Sequence, residues 1–193
     1  MQELTVAVEG DTDLAVIETI CESLGVTIQL PYVCDGVDNL RRRLPGFNEA
    51  ARYGPWLVVT DLDSRECAAG YRNGLLPAPS RGMCLRIAVR ETESWVLAHR
   101  EAVATWLGVS QDLIPLNPDE LLDPKQALVN LARRSRRALR DDLVPRPASG
   151  RQVGPAYGSR LGEFARSSWR AEIARTCSPS LDRAMHALST LTS

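Results

Sequence analysis

Four short, largely apolar segments alternate with stretches of helical character, and this alternation constrains the fold more than any other feature. The segments lie at residues 4–8, 26–33, 56–60 and 83–89. Apolar strands separated by helices are typical of a buried parallel sheet, because the connecting helices cover both of its faces. We therefore predict an α/β, Rossmann-like protein with a four-stranded, mainly parallel sheet flanked by helices.

The remaining segments predict helices and one long loop. Candidate caps, glycines and prolines mark helix boundaries, and the predicted helices span residues 14–24, 35–53 (with a break at Pro45-Gly46), 92–107, 124–143, 161–176 and 179–191. Residues 64–82 contain three glycines and two prolines and predict an irregular loop. The last third contains no strand pattern. We expect an α/β core at residues 1–108 and a helical, arginine-rich extension at residues 109–193, packed on the core.

Charge is distributed unevenly along the chain. Residues 130–193 carry twelve arginines and five carboxylates, whereas the preceding part is acidic and the whole chain has a net charge of −1. Arginine binds phosphate through two parallel hydrogen bonds, so Arg133, Arg134 and Arg137 are candidate contacts to DNA or RNA. The alternative is a solvated helix face in a chain whose basic residues are 22 arginines and one lysine.

Several classes of protein are excluded or disfavoured by composition. No apolar run approaches the 18–20 residues that span a bilayer, so no membrane association is expected. The first residues lack a basic segment and a cleavage site typical of a secretory signal, which favours a cytoplasmic location. Five cysteines without a CxxC pair, together with two histidines, offer no zinc-site spacing and no disulfide framework.

Acidic side chains follow three of the four predicted strands. Glu9 ends the first strand, Asp61 and Asp63 end the third, and Glu91 and Glu93 follow the fourth. Alternate residues of an extended chain point the same way, so Asp61 and Asp63 are expected on one side. In parallel sheets functional groups gather where the strands end. Clustered carboxylates suit Mg²⁺ or Mn²⁺, which predicts a metal site at this edge.

The first and third strand ends together resemble the TOPRIM domain. The matching segments are residues 8–13 (VEGDTD) and 58–63 (VVTDLD). That domain is shared by type IA and II topoisomerases, bacterial primases and OLD-family nucleases. The resemblance covers about residues 3–95. It implies that Glu9 acts in acid/base chemistry or metal binding, that Asp61 and Asp63 bind a divalent metal, and that Gly10 permits a tight turn.

A second resemblance extends along most of the chain. It is to small stand-alone TOPRIM-like bacterial proteins, many of which lie beside an ATPase in presumed phage-defence loci. The matching segments are residues 86–98, 123–125 (DPK) and 178–181 (SPSL). Within the first of these segments, Glu91 and Glu93 are candidate ligands of a second metal site. The alternative is a structural role, because acids at a helix start favour the helix dipole. Arg90 departs from the pattern, where a smaller uncharged residue is expected.

Two further residues are assigned from their own chemistry. Lys125 is the single lysine of the chain, and a compact ammonium could stabilise charge in a phosphoryl-transfer transition state. The alternative is a residue at a helix start without a role. Asp13 is expected to cap the first helix, with a supporting role behind the metal ligands as the other possibility.

Three functions remain open. The first is a metal-dependent nuclease in phage defence or nucleic-acid repair. The second is a noncatalytic module that acts with a partner ATPase. The third is a haloacid-dehalogenase-like phosphatase, because Asp61-Leu62-Asp63 follows an apolar strand. Lys125, Asp141 and Asp142 would then be the counterparts of its later motifs. The chain lacks a gate domain for a topoisomerase nucleophile and a zinc-binding domain of the primase kind.

Overall fold

A four-stranded parallel sheet forms the centre of the protein. The computed structural model describes residues 2–192. The strands are β1 (Gln2–Val8), β2 (Val26–Val33), β3 (Trp56–Asp61) and β4 (Met83–Ala88), in the order β2-β1-β3-β4. Every pairing is parallel. The predicted α/β, four-stranded parallel sheet is therefore confirmed.

Ten α-helices flank or follow these strands within residues 2–192, together with two short 3-10 helices at Gln111–Leu113 and Pro118–Glu120. The α-helices are α1 (Asp11–Ser23), α2 (Val37–Ala50), α3 (Ala68–Leu75), α4 (Thr92–Ala98), α5 (Arg100–Leu107), α6 (Pro124–Ala132), α7 (Arg137–Leu143), α8 (Tyr157–Ser167), α9 (Ala171–Ala174) and α10 (Pro179–Leu191). The described residues from 92 onward are helical or irregular, which confirms the predicted helical C-terminal part. None of the described helices combines the length and apolar character that a membrane span requires. The division of the chain at residue 108 stays a prediction.

Two predictions about the middle of the chain are wrong. Helix α2 runs without a break through Pro45. Leu44 and Phe47, on either side of this proline, are buried, and their packing outweighs the one backbone hydrogen bond that proline cannot make. The expected loop at 64–82 contains α3, whose start is capped by the Cys67 sulfur accepting from the N–H of Gly70 at 3.4 Å.

Three predicted long helices are each divided in two. The break between α4 and α5 falls at His99, whose backbone is not helical. The side chain of His99 is buried, and its Nδ1 accepts the N–H of Arg170 at 3.0 Å. A contact between residues 71 positions apart therefore fixes this bend, and no local pattern could have revealed it.

The larger hydrophobic core lies on one face of the sheet and combines residues from both ends of the chain. It joins α1 and the strands to α4 and to the later helices. Trp95 and Trp169 are fully buried at its centre. The Trp95 indole donates to Ser180 Oγ at 2.7 Å, and the Trp169 indole donates to the carbonyl of Trp95 at 3.2 Å. The opposite face is covered mainly by α2.

Candidate functional site

The carboxyl ends of the neighbouring strands β1 and β3 meet at an acidic cleft. Glu9 follows β1 directly and Asp61 is the last residue of β3. Oε1 of Glu9 accepts the backbone N–H of Asp61 at 2.9 Å and the hydroxyl of Thr60. The parallel pairing of β1 with β3 thus places the two predicted metal-binding carboxylates side by side.

Asp13 and Thr92 connect this pair to two helix starts. Oδ2 of Asp13 accepts the N–H of Gly10 at 2.9 Å, which completes the N-terminal cap of α1. The hydroxyl of Thr92, the first residue of α4, donates to Oδ1 of Asp13. The backbone N–H of Thr92 donates to Oδ1 of Asp61 at 3.1 Å. One threonine therefore holds two carboxylates that lie 48 positions apart in the sequence.

Lys125 lies at the start of α6 between two glutamates. Its backbone N–H donates to Oε2 of Glu91 at 2.9 Å, and its Nζ donates to Oε1 of Glu91 at 3.1 Å. The same Nζ lies 3.6 Å from Oε1 of Glu93. The hydroxyl of Tyr157 donates to that Glu93 oxygen at 3.1 Å. Glu91 and Glu93 therefore both lie beside the ammonium of Lys125.

Burial and mutual repulsion change the acidity of these groups. Burial, with the nearby charges of Asp13, Glu93 and Glu9, raises the pKa of Asp61 well above its usual value. Burial likewise raises the pKa of Asp13 and raises that of Glu93 to about 7, despite the opposing charge of Lys125. Each of these groups therefore takes up a proton or a cation more readily than an isolated carboxylate does.

The same carboxylates also raise the pKa values of their basic and phenolic neighbours. Burial alone would lower the pKa of Lys125, but Glu93 and Glu91 outweigh it and raise that pKa. Burial, followed by the charge of Glu93, raises the pKa of Tyr157 well above its usual value. Lys125 therefore keeps its positive charge at neutral pH. Tyr157 keeps its hydroxyl proton and remains a hydrogen-bond donor.

The cleft itself has a volume of about 410 Å³. Carboxylates on its wall come from four different segments, and they are Glu9, Asp11, Asp13, Asp35, Asp61 and Glu93. Within residues 2–192, no three His, Cys, Asp or Glu side chains are already arranged as ligands of one metal ion. The donor set consists of oxygens only, and burial together with repulsion raises the pKa values of Asp13, Asp61 and Glu93. It nevertheless has the chemistry that a hard divalent cation requires.

Asp63 does not lie where the alternation of an extended strand predicts. Strand β3 ends at Asp61, and Asp63 has a left-handed backbone with φ of 52°. Its side chain points to Arg65, with Oδ2 2.8 Å from Nη1 of that residue, and does not line the cleft. The expectation that Asp61 and Asp63 face the same way is wrong, because the chain turns between them.

Arg90, which departs from the pattern of the second resemblance, has a structural partner in this turn. Its Nη1 donates to the carbonyl oxygens of Asp63 at 3.0 Å and of Arg65 at 2.8 Å. The N–H of Asp63 donates in return to the carbonyl of Arg90 at 2.9 Å. Arg90 therefore fastens the segment after β3 to the segment after β4.

The three arginines predicted to contact nucleic acid lie outside the acidic cleft. Arg133 and Arg134 are exposed in the turn after α6, and Arg137 is the exposed first residue of α7. Nε of Arg137 lies 3.6 Å from Oδ2 of Asp141. Their proposed role as nucleic-acid contacts stays a prediction.

Sequence reasoning missed the neutral groups of the site. Thr60, Thr92 and Tyr157 each contact a cleft carboxylate. Thr60 and Thr92 are directly beside predicted acidic residues in sequence, so their hydroxyls could have been considered as partners. Tyr157 lies 64 positions from Glu93, and no local signal connects the two.

The fold and the acidic cleft define an α/β protein with a Rossmann-like sheet and a carboxylate site where its strands end. Neither a protein-family model nor a curated protein sequence matches the chain. Among solved structures, the chain is similar to the C-terminal region of the Burkholderia pseudomallei OLD protein. The TM-score is 0.50 and the identity 17%, over 98% of each chain. At this identity the similarity concerns the fold.

Proposed function

We propose that this protein is a divalent-metal-dependent nuclease that cleaves phosphodiester bonds of DNA or RNA at the acidic cleft. The observation that carries the proposal is the convergence of Glu9, Asp13, Asp61 and Glu93 on one cleft beside the ammonium of Lys125. The TOPRIM-like pattern at residues 8–13 and 58–63 points the same way. Similarity of fold to the C-terminal region of an OLD protein is compatible with it.

Glu9 and Asp61 are the proposed primary ligands of Mg²⁺ or Mn²⁺. Their carboxylates meet at the cleft. Burial and then repulsion raise the pKa of Asp61, and a cation would offset both. When bound, such an ion would polarise a phosphate and lower the pKa of a bound water. The sequence also suggests Asp63 and Glu91 as ligands. To bind a metal, Asp63 would first have to break its ion pair with Arg65, and Glu91 its ion pair with Lys125.

The remaining residues have distinct proposed roles. Lys125 keeps a positive charge at the cleft, where it can stabilise negative charge that develops on a phosphate. Glu93 has a pKa of about 7 and can therefore hold or release a proton near neutral pH. Tyr157 and Thr92 keep Glu93, Asp13 and Asp61 in place through their hydrogen bonds.

A cleavage assay tests the proposal. Wild type, Asp61→Asn and the matched surface variant Asp141→Asn are incubated with plasmid, single-stranded DNA and structured RNA, in Mn²⁺, Mg²⁺ or EDTA. We expect metal-dependent cleavage by wild type and Asp141→Asn, and a loss of at least about 100-fold in Asp61→Asn. No cleavage by wild type with either metal would contradict a nuclease that is active alone.

A noncatalytic module that acts with a partner ATPase is the second candidate. The engagement of Lys125 with Glu91 and Glu93, and the lack of three ready metal ligands among residues 2–192, favour it. Co-purification with the product of an adjacent ATPase gene, together with an inert lone protein, would support this alternative. No observation favours the phosphatase, since Asp142 pairs with Arg160 at 2.8 Å outside the cleft.

A further inference from the structure

An arginine-lined groove runs along the edge strand β4. Two adjoining cavities of about 610 and 310 Å³ form it, and both are lined by Arg72 and Arg86. Residues 83–87 of β4 contribute to the floor, while α3 and α10 contribute to the walls. Arg81 lines one of the cavities and Arg183 the other.

The charges of this groove are not neutralised within the chain. No Asp or Glu lines either cavity. Among the ion pairs of residues 2–192, none includes Arg72, Arg81, Arg86 or Arg183. Among the described residues, the hydrogen bonds of the Arg72 guanidinium go to the amide oxygen of Asn73, at 3.4 Å from Nε and 3.2 Å from Nη2. Four positive charges therefore share one groove without a counter-charge.

Arg86 is the most unusual of the four. Its Nε is buried and has no hydrogen-bond partner within the described part of the chain. Burial, with the positive charges of Arg72 and Arg183, lowers the pKa of Arg86. A buried donor without a partner is rare in folded proteins, and like charges around it add to its cost. An anion in the groove would give this donor an acceptor and would offset the repulsion between the like charges.

We propose that the groove along β4 binds consecutive phosphate groups, as presented by a nucleic-acid strand or by a nucleoside triphosphate. Arginine guanidiniums recognise phosphate through paired hydrogen bonds, and a row of them matches a row of phosphates better than a single anion. The site is separate from the acidic cleft, because the two share no lining residue. The proposal does not rest on the nuclease function, since binding can be measured without a divalent metal.

The test compares two pairs of arginines in EDTA. Arg72→Gln/Arg183→Gln removes two exposed groove arginines, whereas Arg146→Gln/Arg151→Gln removes two exposed arginines of the loop after α7. The probes are a fluorescein-labelled 12-nucleotide DNA strand, followed by anisotropy from about 50 to 200 mM salt, and ATP, followed by calorimetry. Both pairs are exposed, so the variants should fold. Arg86→Met is the third variant and probes the half-buried arginine whose Nε has no partner among the described residues.

We expect the groove pair to weaken binding of the strand at least about fivefold and to reduce the slope of log K against log salt by about 1 for each arginine removed. The control pair should bind like wild type. The same loss with ATP instead of the strand also supports the site and identifies a free nucleotide as the source of the phosphates. Absence of binding of both probes to wild type, or an equal loss in both pairs, would overturn the proposal.

Discussion

Both the backbone N–H and the side-chain ammonium of Lys125 bind Glu91, one to each carboxylate oxygen, at 2.9 and 3.1 Å. The ammonium also faces Glu93, which is buried and otherwise contacts the Tyr157 hydroxyl. Lys125 therefore links the start of α6 to the start of α4 and supplies the positive charge beside the buried Glu93. Its removal should have consequences for stability as well as for activity.

Lys125→Met should lower the free energy of unfolding by about 2 kcal/mol at pH 8. Breaking a buried ion pair costs about 3–5 kcal/mol, but here Lys125 is partly exposed and Glu93 can take up a proton. The cost should therefore shrink toward pH 5.5. Urea denaturation at both pH values provides the measurement. In the double variant Lys125→Met/Glu93→Gln, part of the loss at pH 8 should be recovered, and an equal loss at both pH values would argue against this coupling.

Glu93 gives wild-type stability a defined dependence on pH. Its pKa of about 7 lies above the usual 4.5, so the folded protein binds this proton more tightly than the unfolded chain does. The contribution of Glu93 to the free energy of unfolding is then fully present below about pH 4.5 and is lost as the pH rises through about 7. Linkage limits the loss to about 3 kcal/mol. Asp13 and Asp61, whose pKa values are also raised, act in the same direction.

Glu93→Gln should flatten this profile between pH 5 and 8 and should be more stable than wild type at pH 8. The reason is that a neutral amide carries no charge to bury, while its oxygen can still accept from Tyr157. Denaturation midpoints across this pH range measure the effect. Glu163→Gln, at an exposed glutamate of α8, is the matched control and should keep the wild-type profile. If the profile of Glu93→Gln ran parallel to that of wild type, Glu93 would not be the source of the pH dependence.

Asp61 and Asp63 should differ sharply in divalent-metal binding. Asp61 lines the cleft among other carboxylates, whereas Asp63 pairs with Arg65 outside it. Mn²⁺ at about 100 times its Kd should raise the free energy of unfolding of wild type by about 2.7 kcal/mol. Asp61→Asn should lose most of this gain and Asp63→Asn should keep it. Thermal unfolding with and without Mn²⁺ measures this gain in each variant. If both variants lost the gain equally, Asp63 would also be a metal ligand.

The sheet and the centre of the candidate site could be predicted from the sequence because their signals are local. Apolar strands and the acids that end them are adjacent in sequence, and parallel pairing brings Glu9 to Asp61. The turn that removes Asp63 from the cleft could not be predicted, since it depends on Arg90 binding carbonyls 25 and 27 positions away. The groove arginines come from α3, the turn before β4, β4 itself and α10, so only the folded chain brings them together.

Gly82, directly before β4, should tolerate no side chain. A Cβ there would collide with the carbonyl oxygens of Ala51 and Gly54. Its N–H donates to Ala51 at 3.1 Å, and its carbonyl accepts from Trp56 at 2.8 Å, so the backbone cannot withdraw without losing these bonds. Gly82→Ala should therefore cost about 1–3 kcal/mol, the usual range for overpacking.

Gly74→Ala is the matched control for this substitution. Gly74 lies within α3, where a Cβ meets nothing within 4 Å. Alanine is favoured over glycine in a helix by about 1 kcal/mol, so this variant should be as stable as wild type or more stable. Urea denaturation of both variants gives the comparison. If Gly82→Ala proved as stable as Gly74→Ala, the close approach of β4 to the end of α2 would be wrong. The position of β4, the edge strand that forms the floor of the arginine groove, would then be wrong as well.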